Sequence, residues 1–275
     1  MGWARSPTMH RMTHTLQQIT HLLDRILRPD PQWLRALPNH KALGLLGVVV
    51  LGFAMYGFTV GAWRAPAMGG YVALKMPLLI ILTLGCNALL NGLLGMLLHG
   101  SIGFRQSLMA LLWAFATAAV LLASLSPVTL GLAWNAPRPD AVNAASAHAG
   151  YLLSHTLLIA AVGIFSNIHL HRLLHGAGGK GSLPTLFSWL AGNGLLGSQF
   201  SWILRPFFGS PQLEVAFLRP NAFEGTFHEA VWYSLRKIAN GHWFEIIGLL
   251  VFVALSLILY VTKSQRITPT KKYHE

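Results

Sequence analysis

Charge is what this sequence has least of. Of 275 residues, 10% are Asp, Glu, Lys or Arg, and only eight are acidic. A soluble domain carries about a quarter charged residues, so a water-facing globule of this length is excluded. Cysteine is almost missing. Cys86 stands alone, which rules out a disulfide framework within the chain and any cysteine-only metal site. None of the acids falls at the centre of a long apolar run, where ion-driven pumps place them. There is no Gly-x-Ser-x-Gly, no phosphate-binding loop and no pair of intramembrane carboxylates. No motif therefore marks an enzyme or implies a cofactor.

What is present is 53% hydrophobic, with a mean hydropathy of +0.51. A bilayer-spanning helix needs about 20 mostly apolar residues, and six stretches qualify: 42–63, 72–98, 108–134, 150–174, 183–204 and 243–262. The runs are continuous rather than alternating, which argues against a barrel. Trp63, Trp134, Trp243 and Tyr260 fall at span ends, where amphipathic rings favour the headgroup layer. The expected fold is an all-α membrane protein with six transmembrane helices, an N-terminal basic amphipathic helix, and a long extracytoplasmic loop containing an interfacial helix. The expected division is a cytoplasmic segment (1–41), a membrane domain (42–262) with an outer loop (205–242), and a basic tail (263–275).

The net charge of +12 suggests an anionic partner until it is sorted by loop. With an even number of spans, thirteen Lys and Arg fall on the side of the termini and seven on the other. The positive-inside bias then places both termini in the cytoplasm of a bacterial inner membrane and accounts for most of the excess without nucleic acid. The first apolar run starts some 40 residues in, so no signal peptide is expected; Met9 or Met12 are alternative starts. Residues 12–28 repeat Met12, Leu16, Ile19, Leu23, Ile26 and Leu27 at helical spacing among His14, His21, Arg25 and Arg28. That pattern fits a helix lying on anionic headgroups of the inner leaflet or one packed on the protein's own loops.

The outer loop is the longest. Its first half is rich in Pro, Gly and Phe and is expected to be irregular. In its second half Thr226-Phe227-His228-Glu229 spells a capping box. Phe227, Val231, Leu235 and Ile238 then share a face, and Asn240-Gly241 ends the helix.

Lys75 lies one turn into the second apolar run. It either snorkels to the interface or pairs with a carboxylate or phosphate. Asn87 and Asn91 share a face with Gly95, and the fifth span carries Ser188, Asn193, Ser198, Gln199 and Ser201 beside Gly192, Gly194 and Gly197. Amides in hydrocarbon usually bond across helices. Otherwise Asn87, Asn91, Asn193 and Gln199 would line a solute path. The small residues suggest that the fifth span is the bundle's central packing helix. Arg205 and Arg219 each precede a proline in the outer loop. They either snorkel, hold helix-end carbonyls, or clamp a phosphate or carboxylate. Glu214, Glu224 and Glu229 are available as ion-pair partners. Thirteen histidines are present. His171 and His175 have metal-binding spacing, but no Asp or Glu stands near them and only His99 could supplement them. His148 and His155 carry no evident role.

The fifth span and its exit read Gly197-Ser198-Gln199-Phe200-Ser201-Trp202-Ile203-Leu204-Arg205-Pro206-Phe207-Phe208-Gly209-Ser210-Pro211, with Lys75-Met76-Pro77-Leu78 upstream. This resembles a group of bacterial polytopic inner-membrane proteins that share a Gly-x-Gln-x-x-Trp-x-Leu-Arg-Pro-Phe-x-Gly-Ser-Pro stretch, over the region from the first span to about Phe227. The resemblance implies no established activity. Some members carry an actin-monomer-binding label. Leu235-Arg236-Lys237-Ile238 faintly imitates that motif, but it is expected to face away from the cytoplasm. A distant likeness to Yip-type proteins rests on span count alone. The leading expectation is a non-enzymatic scaffold or accessory subunit with a membrane-protein partner. Gln199, Trp202, Arg205, Arg219 and Lys75 would be its binding residues. A channel or carrier is the alternative, and a metal-dependent membrane enzyme using His171 and His175 a remote one.

Overall fold

The computed structural model describes residues 17, 20, 23–28, 30–36, 39–178, 181–233 and 236. The sixth expected span and the basic tail lie outside them, as do most of residues 1–22 and the end of the interfacial helix. The described elements are all helical, without strands: α1 (Pro31–Ala36), α2 (Asn39–Ala62), α3 (Pro66–Leu94), α4 (Phe104–Asn135), α5 (Ala144–Gly176) and α6 (Ser182–Ile203). A π-helical turn, Gly95–His99, extends α3. Helix is the expected response to long apolar runs, because backbone polar groups in hydrocarbon must be satisfied within their own segment.

Four of these helices, α2 to α5, are long and apolar enough to cross a membrane. α6 is not among them, because its 22 residues carry Ser182, Ser188, Asn193, Ser198, Gln199 and Ser201. Several helices begin earlier than hydropathy alone suggests. Pro66 opens α3 at a position where its missing N–H is no loss. Gln106 Oε1 accepts the Gly103 N–H at 2.6 Å and starts α4 ahead of its apolar run. Gly100, at φ 73°, ends the π-turn in a left-handed conformation that suits glycine.

The central helix is α2, not the fifth expected span. It buries Val49, Phe53, Tyr56 and Val60 and packs between α3 and α4, while α5 lies against α4 and α6 against α3. Three glycines make α2 central. A Cβ on Gly52 would stand 2.6 Å from the Ala119 carbonyl oxygen of α4. On Gly57 and Gly61 it would stand 2.6 and 2.5 Å from the Val72 and Met68 carbonyl oxygens of α3. Glycine is required wherever backbones approach this closely. In α6 a Cβ on Gly194 would meet nothing within 4 Å, and only Ser182, Thr185, Leu186 and Trp189 are buried there.

Residues 23–27 are helical. Ile26 is 1% exposed, and its carbonyl accepts from Trp113 Nε1 at 2.9 Å and Thr117 Oγ1 at 3.2 Å. This end of the amphipathic segment therefore packs on α4 rather than lying on the leaflet. Trp63 is also inside, not at an interface. It is 5% exposed and donates to the Pro137 carbonyl at 2.9 Å. Trp134 is exposed.

The described residues from 225 onward belong to a separate compact unit. Within it the expected capping box forms. Thr226 Oγ1 accepts the Glu229 N–H at 3.1 Å, and Glu229 Oε2 accepts the Thr226 N–H at 3.0 Å.

Candidate functional site

The loop that follows α6 is held to the helices by cations reaching backbone carbonyls. Lys75 neither snorkels nor meets an acid. It is fully buried, and its Nζ donates to the Pro206 carbonyl at 2.8 Å. The ammonium also sits 5.0 Å from the Phe217 ring centroid and 5.8 Å from that of Phe207, so aromatic faces replace part of its lost hydration. The Lys-Met-Pro-Leu and Arg-Pro-Phe stretches are thus brought together through one hydrogen bond. Arg64, which the sequence did not single out, does the same for the next turn. Its Nε–H donates to the Ser210 carbonyl at 3.2 Å and its Nη2 to the Leu213 carbonyl at 3.0 Å. Gly209 lies between these anchors at φ 67°, and a Cβ there would meet the Arg64 stem at 2.9 Å.

Trp202 and Arg205 form the rim of this loop. The Arg205 guanidinium lies 3.7 Å from the Trp202 ring centroid, and its Nη1 donates to the Trp202 carbonyl at 2.6 Å. This is the helix-end role open to an arginine at the close of α6. Trp202 Nε1 in turn donates to the Glu224 carbonyl at 3.0 Å. Burial, and after it the charge of Arg219, hold the Arg205 pKa below the usual arginine value, though it stays charged at any physiological pH. Arg219 is exposed. Neither Arg205 nor Arg219 forms an ion pair with Glu214 or Glu224, unlike Arg28, which pairs with Asp24 at 2.9 Å. Gln199 is half-buried on α6.

Below the loop lies a polar aromatic cluster that sequence reasoning missed. The Tyr56 hydroxyl and His155 Nδ1 are 2.8 Å apart. The Tyr151 hydroxyl donates to the Thr59 carbonyl, and Thr129 Oγ1 to Thr59 Oγ1 at 2.8 Å. Rings continue the cluster: Tyr151 against His155 at 4.5 Å, Trp63 against Tyr151 at 5.9 Å, His148 against Trp63 at 5.5 Å, and Phe208 of the loop against His155 at 5.8 Å. The available signal was the spacing of His148, Tyr151 and His155, which puts all three on one face of α5.

The expected amides do meet. Asn193 Oδ1 accepts from Asn87 Nδ2 and from Asn91 Nδ2, each at 3.0 Å. Asn87 Nδ2 also approaches Asn91 Oδ1 at 3.4 Å, and Trp189 Nε1 donates to the Asn91 carbonyl at 2.8 Å. Three of the four residues assigned to a solute path therefore bond α3 to α6, as amides in hydrocarbon usually do. Asn193→Leu is expected to lower bundle stability by roughly 1–2 kcal/mol for two such bonds, read as a lower midpoint of unfolding in detergent.

At the other end of the bundle, His171 and His175 stack with centroids 6.1 Å apart. His99 does not join them. It is 4% exposed, with Nε2 2.9 Å from the Leu174 carbonyl and Nδ1 2.8 Å from Ser101 Oγ. Among the described residues no group of three or more His, Cys, Asp or Glu could hold a metal ion.

Compared with protein-family models, with curated proteins and with solved structures, the chain has no match.

Proposed function

We propose that this chain is a six-span inner-membrane protein of bacterial type, with both termini cytoplasmic, acting as a non-enzymatic scaffold or accessory subunit of a membrane assembly. The 205–241 outer loop is its interaction surface. The observation that carries this reading is the lashing of the loop's first half by Lys75 and Arg64. A pre-ordered surface loses little freedom when a partner docks. The rim of that surface offers a tryptophan with an arginine stacked on it, and an exposed Arg219 beside it without an acid. Trp and Arg are the residues most often found at energetic centres of interfaces. The family resemblance of residues 197–211 supports the same polytopic reading. The amides that a channel would need are bonded to one another, which favours the scaffold over a solute path.

The test is co-purification in mild detergent. Arg219→Ala is expected to weaken partner retention by about 1 kcal/mol or more while leaving the thermal midpoint unchanged, because Arg219 is exposed and makes no hydrogen bond or ion pair among the described residues. Purification without any stable partner, together with full tolerance of Arg205→Ala and Arg219→Ala, would overturn the reading.

A further inference from the structure

A groove of about 120 Å³ opens between α4, α5 and α6. Its walls are apolar on most sides, with Phe115 and Ala118 from α4, Gly163 from α5 and Trp189 from α6. Two polar groups break that surface. Ser166 is 4% exposed, lines the groove, and its Oγ has no hydrogen-bond partner. Asn193 also lines it. Its Oδ1 is occupied by Asn87 and Asn91, which leaves its Nδ2 as a donor.

We propose that this groove binds a lipid-soluble molecule with a carbonyl on a small ring, of the quinone class. Three observations converge on that class. The volume is on the scale of a single ring: its 120 Å³ compares with roughly 150 Å³ for an enclosed apolar cavity that takes up benzene, and the groove is open, so part of the ligand can extend out of it. Half-buried Phe115 provides an aromatic face for a flat ring to stack against, with the buried Trp189 ring in the wall behind. Asn193 Nδ2 is a donor only and calls for an acceptor on the ligand, and the Ser166 hydroxyl can donate to that same acceptor.

Depth separates this ligand from ordinary membrane lipid. α6 has 22 residues, or about 33 Å at 1.5 Å per residue, and Asn193 lies halfway along it. Ser166 is about 15 Å from the same end of the bundle, ten residues before the close of α5. In a hydrocarbon layer about 30 Å thick both donors are near the midplane. The ester carbonyls of phospholipids stay at the interface and do not reach them. A free apolar molecule carrying its own carbonyl does. The argument rests on α6 being a span, as in the proposed six-span reading, but not on the outer loop.

The experiment titrates purified protein in nanodiscs with a short-chain alkylated benzoquinone and follows tryptophan quenching. The wild type is expected to show a saturable component. Ser166→Ala should weaken it about fivefold, the worth of one hydrogen bond. Gly163→Leu, at a position where a Cβ meets nothing within 4 Å, should fill the groove and remove the component without lowering the thermal midpoint. Ala118→Leu fills it from the opposite wall, should Gly163→Leu fail to fold. Quenching that never saturates, or that persists in the filled variants, would overturn the proposal. So would quenching by brominated acyl chains that the quinone does not relieve, since the groove would then seat lipid. Retention of an outer-loop partner is expected to be the same in all three variants, so the two readings fail separately.

Discussion

Lys75→Ala frees the loop after α6 from the helices. The substitution removes a charge-assisted hydrogen bond to Pro206, worth about 1.5–3 kcal/mol, and leaves a void where a fully buried side chain stood. The expected loss is roughly 3 kcal/mol of loop docking. Hydrogen exchange in nanodiscs should show amides of 207–222 exchanging faster, with α4 and α5 little changed. Lys75→Met separates the two contributions. It keeps an apolar stem, loses the donor, and no longer buries a charge, whose removal from water is itself unfavourable. Its effect should therefore be smaller. Unchanged exchange in Lys75→Ala would show that Arg64 alone secures the loop.

Gly57→Val prevents α2 and α3 from closing on each other. Even alanine would bring its Cβ to 2.6 Å from the Val72 carbonyl oxygen and 2.8 Å from Met76 Cγ. The first is backbone and cannot turn aside. Overpacking of this kind costs about 1–3 kcal/mol for alanine, and valine adds two methyl groups at the same contact. Gly57→Ala should lower the midpoint of unfolding in detergent, and Gly57→Val should yield protein that aggregates on extraction. Gly47→Ala and Gly194→Ala are the controls, since a Cβ at either meets nothing within 4 Å and alanine is the better helix former. Equal behaviour of Gly57→Ala and Gly47→Ala would refute the close-approach account.

These two sites mark the limit of what the chain discloses by itself. Helices α2 to α5 were legible because a long apolar run can be read locally, and so were the cap at Thr226 and the tendency of the Asn87 and Asn91 amides to bond across helices, though not that Asn193 would receive them. Glycines were visible as residues but not as contacts. Gly192, Gly194 and Gly197 looked like a packing stripe, yet of these only Gly192 has a tight neighbour, the Asn87 amide, whereas the run of close approaches onto neighbouring helix backbone is that of Gly52, Gly57 and Gly61 in α2. Which glycine faces a neighbour depends on how helices are arranged, and periodicity is silent on that. Lys75 invited two readings, both with water or an acid at its end. Its actual partner is a carbonyl 131 residues away, beyond any local pattern. His155 gave no sign of itself for the same reason, because its partner Tyr56 lies 99 residues earlier.

The bond from Lys75 to Pro206 also sets an order of events during synthesis. A ribosome working at about 5–20 residues per second emits the 131 residues between donor and acceptor in roughly 7–26 s. For that interval α3 carries an ammonium with no carbonyl to receive it, and a lysine at membrane depth is unfavourable. Until Pro206 emerges, α3 should therefore stay where water or the insertion machinery can accommodate it. The expected trigger for the helix to settle in its final place is then the late arrival of a short loop rather than the hydrophobicity of α3.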